Sequence, residues 1–376
     1  MDFNLTDEQV AFQNMVKDFT EREIETIAVH IDRSCILPDD LIGKMAQVGL
    51  LGMTVPKKYG GSEVSKLDCI LACEQIAYSG TGAWWLTGFN NSIPDCIAHY
   101  GSEELRRKYL PALCDGTAYA SIQFTEEHTG SDPAVLTTEV MIDRDSYVIN
   151  GMKRFSTFGA RDGYAVVYAK DENGECTAFI VQKNIKGYVT NKLWELMGGG
   201  GIETVDVFYD NVRVSGDSLL GEKGKAYEIL LYWIALEKVQ QAAANVGMAQ
   251  AALDEAVKYA KMRMVRGKTI SDMQGIRWML ADMHAKIAAS RLLTYRAAFL
   301  QDQQSSDWQA EAAATKLFVV PATMEVVEMA RRIHGAYGYT RDLKIDRLYR
   351  AISGATGIGT TLEINKSIVG NWIVRK

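Results

Sequence analysis

Apolar residues recur every three or four positions at the start of the chain, give way to short alternating runs, and then return to the longer period. From Thr6 to about Asp115 the period is helical: Val10, Phe12, Val16 and Phe19 share one face, and Pro38, Pro56 and Pro94 are expected to separate successive helices. Between Tyr119 and Gly221 the pattern is that of strands. Tyr164–Tyr168, Ala178–Val181 and Val205–Tyr209 are β-type runs separated by turn clusters such as Asp171–Gly174. Asn150-Gly151 reads as a two-residue hairpin turn between Tyr147–Ile149 and Phe155. From Ala226 to Pro321 there is no proline, and Ala, Leu, Met, Glu, Lys and Gln dominate, so long antiparallel helices are expected. The order predicts an α+β fold with an N-terminal helical domain over residues 1–117, a middle antiparallel β-barrel or sandwich domain over 118–222, and a C-terminal helical domain over 223–376.

Composition narrows the function. A chain of 376 residues with 47% hydrophobic content supports two or three packed units. The net charge of -6, without a basic stripe interleaved with aromatics, argues against nucleic acid. Six cysteines (35, 69, 73, 96, 114 and 176) form no CxxC pair and five histidines are scattered, so neither a metal site nor a disulfide framework is readable; reduced core thiols are expected. The N-terminus starts on an amphipathic helix pattern with no apolar signal core or Arg-rich transit segment, which makes the cytoplasm, away from membranes, the expected compartment.

Two segments carry candidate chemistry. Thr125–Asp132 (Thr-Glu-Glu-His-Thr-Gly-Ser-Asp) packs hydroxyls and a glycine into a turn whose N–H groups can face an electron-rich ring, and Ile149–Gly159 (Ile-Asn-Gly-Met-Lys-Arg-Phe-Ser-Thr-Phe-Gly) comes some twenty residues later. Both resemble the flavin-contacting loops of the acyl-CoA dehydrogenase family, T-E-P-x-A-G-S-D and N-G-x-K-x-W-I-T-N-G. The resemblance runs from Phe3–Gln9 through Asp210–Val214, Leu220–Gly224, Tyr259–Arg263, Gly267-Lys268, Gln274 and Gly335–Arg341 to Glu363-Ile364, nearly the whole chain, in order and at matching spacing. It implies the family layout, with a four-helix bundle at the C-terminal end and FAD lying between the β domain and that bundle.

The resemblance also implies roles for individual residues. Phe124 would contact the cofactor, the Thr125 hydroxyl and nearby backbone N–H groups would serve the flavin's pyrimidine edge, Thr157 would sit at N5, and Phe155 takes the place of the family's stacking tryptophan. Ser131 would face both the cofactor and the substrate thioester. Arg263 and Gln274 match contacts made across a dimer face, Arg332 stands where the family has glutamine, and Gly335, Ala336 and Thr361 complete the FAD contacts. Arg266 replaces an aromatic at the adenine end. Because contacts cross subunits, a homodimer or homotetramer is expected.

The implied reaction is α,β-desaturation of an acyl thioester, in which a carboxylate takes the α proton and flavin N5 accepts the β hydride. The family's usual base is the Glu of a Y-E-G-T-N-E-I loop. Here that loop reads Ile358-Gly-Thr-Thr-Leu-Glu-Ile364, so the base position is Gly359, whose backbone N–H can still polarise a thioester carbonyl. A subgroup that includes isovaleryl-type enzymes carries the base on a helix of the C-terminal domain, and Glu237 matches it, with Lys238 in place of the following arginine as a substrate contact. Helical spacing agrees: Leu230, Ile234, Glu237, Gln241, Ala244 and Met248 form one mainly apolar stripe, which turns Glu237 inward and raises its pKa toward neutrality. The competing reading is an ion pair with Lys238 at a helix edge.

Gly82–Gly88 resembles the family's acyl-pocket floor. Trp84 and Trp85 fill volume there, so a short, branched or cyclic acyl group is expected, and no arginine is present to pair a second carboxylate. The thioester carrier is CoA or a carrier protein's pantetheine, and the electron acceptor is an electron-transfer flavoprotein or oxygen. A flavin oxidase or monooxygenase, and a non-catalytic flavoprotein, are the alternatives on the same fold.

Overall fold

The computed structural model describes residues 4–130, 132 and 135–375. Among the described residues six α-helices come first: α1 (Asp7–Phe19), α2 (Ala28–Ser34), α3 (Leu41–Gln47), α4 (Lys66–Ala77), α5 (Ala83–Tyr100) and α6 (Glu103–Cys114). Thr6 starts α1 with a capping box, its side chain accepting from Gln9 N while Gln9 Oε1 accepts from Thr6 N. The sequence places a helix break at Pro94, yet Pro94 lies inside α5. Proline cannot donate to the carbonyl four residues back, and the Gly52 N–H takes that Asn90 carbonyl at 2.9 Å, so the helix continues. The Asn90 side chain donates to the carbonyls of Leu113 and Ala118 and accepts from Ala120 N. It thereby ties the start of the first strand to the helices.

The middle part holds eight strands among the described residues: β1 (Tyr119–Gln123), β2 (Glu139–Asp143), β3 (Ser146–Thr157), β4 (Gly163–Lys170), β5 (Cys176–Gln182), β6 (Tyr188–Leu193), β7 (Thr204–Ser215) and β8 (Leu219–Leu220). They form one sheet in the order β6-β7-β3-β2-β4-β5-β8, with β1 on β4. Pairing is antiparallel except that β1 runs parallel to β4 and β2 meets β4 at one parallel pair. The expected hairpin turn at Asn150-Gly151 is a correction: the turn falls at Arg144-Asp145, with Arg144 at φ +58°, and Asn150-Gly151 lies within β3. Glycine serves close approach there. A Cβ on Gly151 would stand 2.7 Å from the Thr138 Cα, and the β3–β7 register shifts between Ile149 and Gly151. A second shift, between Lys153 and Ser156, holds Phe155 at φ +55°. That bulge turns Phe155 outward, 51% exposed, into a cavity between the sheet and the C-terminal helices.

The C-terminal part is helical. After α7 (Ala226–Met262) and a short ribbon of β9 (Met264–Val265) with β10 (Lys268–Thr269) come α8 (Gln274–Asp302), α9 (Trp308–Ile333), α10 (Lys344–Ser353) and α11 (Leu362–Arg375). Every residue of α7 from Trp233 to Ala249 is buried, so the expected apolar stripe is one side of a helix enclosed all round. Four of the six cysteines are buried and all six are free thiols. Among the described residues no helix is long and apolar enough to cross a membrane, and no cluster of His, Cys, Asp and Glu could hold a metal.

Candidate active site

A cavity of about 410 Å³ opens where the sheet meets the C-terminal helices. Phe124 and Thr125 line it from the end of β1, Arg154, Phe155 and Thr157 from β3. Trp85 and Phe89 of α5 and Trp233 of α7 close its apolar end; Phe89 meets Trp85 and Trp233 edge-on at centroid distances of 5.5 and 5.7 Å. The segment 357–361 before α11 forms another wall, with Leu196, Ile202 and Thr204 beside it, and Glu237 also lines the cavity from α7.

The first loop is pinned by a buried ion pair. Lys153 Nζ donates to Glu126 Oε1 at 2.7 Å, and the same carboxylate accepts from Thr137 N, Thr137 Oγ1 and Thr138 N. Burial by itself would raise the Glu126 pKa, but the Lys153 ammonium and these donors outweigh it and hold the carboxyl at about 2. Burial also pulls Lys153 down to about 8. Arg154 N donates to the Thr125 carbonyl at 2.8 Å, which ties the loop to β3, and Thr125 and Thr157 both line the cavity.

Glu237 is 2% exposed, and among the described residues neither of its carboxylate oxygens has a hydrogen-bond partner. Burial raises its pKa, and the ammonium groups of Lys316 and Lys238 oppose that in part. The edge ion pair with Lys238 is not found among the described residues, since neither Glu237 oxygen has a hydrogen-bond partner; Lys238 is itself buried, and its pKa is lowered to about 8 by burial and by Lys316. Gly359 sits at φ +74°, and a Cβ built on it would stand 2.5 Å from Glu237 Oε2 and 2.8 Å from Oε1. The two positions therefore address one point in the cavity, and glycine leaves the room that the Glu237 carboxylate uses. Lys316 of α9 donates from Nζ to the Ile358 carbonyl at 2.8 Å and so holds the peptide that carries the Gly359 N–H.

Of the other residues singled out in the sequence, Phe124, Thr125, Phe155, Thr157, Thr361 and Trp85 line the cavity. Trp84 lines a small neighbouring void, and Lys238 lies outside both linings. Arg263, Gln274, Arg332, Gly335 and Ala336 are exposed and outside the cavity. Ser131 lies outside the described residues. Sequence reasoning did not find Phe89, Arg154, Trp233 or Lys316. The helical spacing of Trp85 and Phe89, four apart on α5, was a usable signal, whereas the Lys316–Ile358 contact spans 42 residues and had none.

A cavity with an exposed aromatic ring, two threonine hydroxyls and a buried carboxylate that has no partner among the described residues offers room and donors for a flat, hydrogen-bonding ring system. Three family models match the chain in order: the N-terminal, middle and C-terminal domains of acyl-CoA dehydrogenase, over residues 6–117, 121–212 and 227–374. It is 33% identical to acryloyl-CoA reductase (NADH) of Anaerotignum propionicum, covering 100% of this chain and 97% of that protein. It is 32% identical to the short-chain specific acyl-CoA dehydrogenase of Clostridium acetobutylicum, covering 100% of both. The solved structure of butyryl-CoA dehydrogenase from Megasphaera elsdenii superimposes with a TM-score of 0.97 at 30% identity, over 100% of both chains. The chain belongs to the acyl-CoA dehydrogenase family. It is an oxidoreductase acting on CH–CH groups, and its cofactor is FAD.

Proposed function

We propose that the enzyme interconverts a short, branched or cyclic acyl-CoA and its α,β-unsaturated product, with Glu237 as the group that takes the α proton. The observation that carries this is the opposition of Glu237 to Gly359: a carboxylate without a partner among the described residues occupies the space that a side chain at position 359 would fill. Its raised pKa suits removal of a weakly acidic carbon-bound proton, and in the reverse direction the same group returns that proton. The Gly359 N–H, held through Lys316 and Ile358, donates to the thioester carbonyl and acidifies the α carbon. FAD, when bound, supplies the acceptor for the β hydride. Phe124, Thr125, Phe155, Thr157 and Thr361 hold its ring system, and Ser131 serves the same edge and the thioester. Arg263 and Gln274, both exposed, contact the FAD of a second copy in a homodimer or dimer of dimers, and Arg332, Gly335 and Ala336, also exposed, are further FAD contacts. Trp84 and Trp85 close the acyl end, Lys238 is a further substrate contact, and an electron-transfer flavoprotein takes the electrons.

Anaerobic mixing with acyl-CoAs tests the reading. Acyl groups of about three to six carbons should bleach the flavin faster than those of twelve or more, because overfilling a packed pocket costs roughly 1 to 3 kcal/mol. A flavin that no acyl-CoA bleaches would instead point to an oxygen-activating or non-catalytic flavoprotein.

A further inference from the structure

Beyond Trp85 lies a second void of about 20 Å³, lined by Trp84, Gln241, Asn245 and Met248 and sharing Trp85, Ile202 and Ile358 with the main cavity. That volume holds one water-sized group. Its chemistry is specific. Gln241 and Asn245 are 1% and 0% exposed, and among the described residues Gln241 Oε1 and Asn245 Oδ1 have no hydrogen-bond partner. The Asn245 orientation is set by its neighbour. Thr323 Oγ1 donates to the carbonyls of Val319 and Val320, so it can only accept from Asn245, and the atom 3.3 Å away is Nδ2. Oδ1 is then a buried acceptor without a donor, which costs stability unless a donor arrives.

We infer that this void is a polar end to the acyl pocket and that the enzyme takes acyl thioesters carrying a hydroxyl at the far end of the chain. The inference rests on the proposed dehydrogenation. The hydroxyl donates its proton to the amide oxygens of Asn245 and Gln241, which an alkyl end cannot do. Glu237, Gln241 and Asn245 are successive turns of one face of α7, so the acceptors begin ~6 Å beyond the base along the helix. A chain of about six carbons with its α carbon at Glu237 spans that rise. Trp85, Ile202 and Ile358 line both spaces, and of the three Ile358, on the segment 357–361, is the most exposed at 37%.

The experiment compares 6-hydroxyhexanoyl-CoA with heptanoyl-CoA, which have the same number of heavy atoms in the acyl group, on the FAD-loaded enzyme. Anaerobic flavin reduction and binding, read from perturbation of the flavin spectrum, are both measured. The hydroxylated substrate should bind and react about tenfold better, the worth of one neutral hydrogen bond. Asn245→Leu and, independently, Gln241→Leu should remove or reverse that preference, and heptanoyl-CoA should gain. Equal handling of both acyl groups by the unaltered enzyme, or a preference for heptanoyl-CoA, overturns the inference and leaves the void to one structural water. Should neither thioester reduce the flavin, the proposed function fails, and the binding comparison alone then decides the polar subsite: equal affinities overturn it, tighter hydroxyacyl binding upholds it.

Discussion

The Cβ position of Gly359 lies 2.5 Å from Oε2 of Glu237, so the two residues cannot both carry side chains into the same space. A carboxylate on α7 and a carboxylate on the loop before α11 are mutually exclusive ways to reach one substrate carbon. Exchanging them tests this. Glu237→Gly should abolish substrate-driven flavin reduction, and adding Gly359→Glu should restore part of it, while Gly359→Glu alone should impair the enzyme by crowding Glu237. Recovery will be incomplete, because residue 359 sits at φ +74°, where a non-glycine residue costs roughly 1 to 2 kcal/mol. Stopped-flow reduction of the three variants checks the order, and a double variant no faster than Glu237→Gly would contradict it.

Lys316 tunes and positions this pair without touching substrate. Its ammonium lowers the Glu237 pKa against the upward push of burial, and its hydrogen bond fixes the Ile358 carbonyl. Lys316→Met should therefore move the acid limb of the rate–pH profile to higher pH and slow reduction, by ~10-fold or more for loss of a held donor. Lys316→Arg should restore part of the profile. A slower enzyme with an unmoved limb would reduce Lys316 to packing.

The Glu126–Lys153 pair makes a prediction about stability. The Glu126 carboxyl falls from its ordinary 4.5 to about 2 in the folded chain, so its contribution is present above pH ~4.5 and is lost as pH falls through about 2. Lys153→Met leaves a buried carboxylate without its counter-ion, held only by the Thr137 and Thr138 donors, and should cost about 3 to 5 kcal/mol at neutral pH. Burial then raises the carboxyl pKa, and protonation relieves the penalty on acidification. The melting difference between the unaltered protein and the variant should thus be larger at pH 7 than at pH 4.5. A difference that stays constant or widens toward acid would contradict the role given to the pair.

Residues legible in the sequence were those whose neighbours lie along one element. Glu237 shares a helix face with Leu230, Ile234 and Gln241, and three-to-four spacing placed it inward. Thr125 and Thr157 stood in segments of recognisable order, and both line the cavity. Long-range partners were not readable. Pro94 looked like a helix break because nothing local shows that the Gly52 N–H replaces its missing donor. Asn150-Gly151 looked like a turn because the Thr138 backbone packed against Gly151 lies 13 residues earlier. The spacing of Lys316 from Ile358, and of Glu126 from Lys153, hid two contacts that hold the site together.

Anaerobic flavin reduction by Glu237→Gln decides whether α7 carries the α-proton base. Glutamine keeps the shape and most of the packing but has no basicity, so FAD content and the flavin spectrum should be unchanged while reduction by a short acyl-CoA falls at least ~100-fold, the low end for loss of a general base. Glu363→Gln, exposed on the first turn of α11 and away from the cavity lining, should reduce at close to the unaltered rate. Near-normal reduction by Glu237→Gln with FAD in place would contradict the assignment of the base to α7.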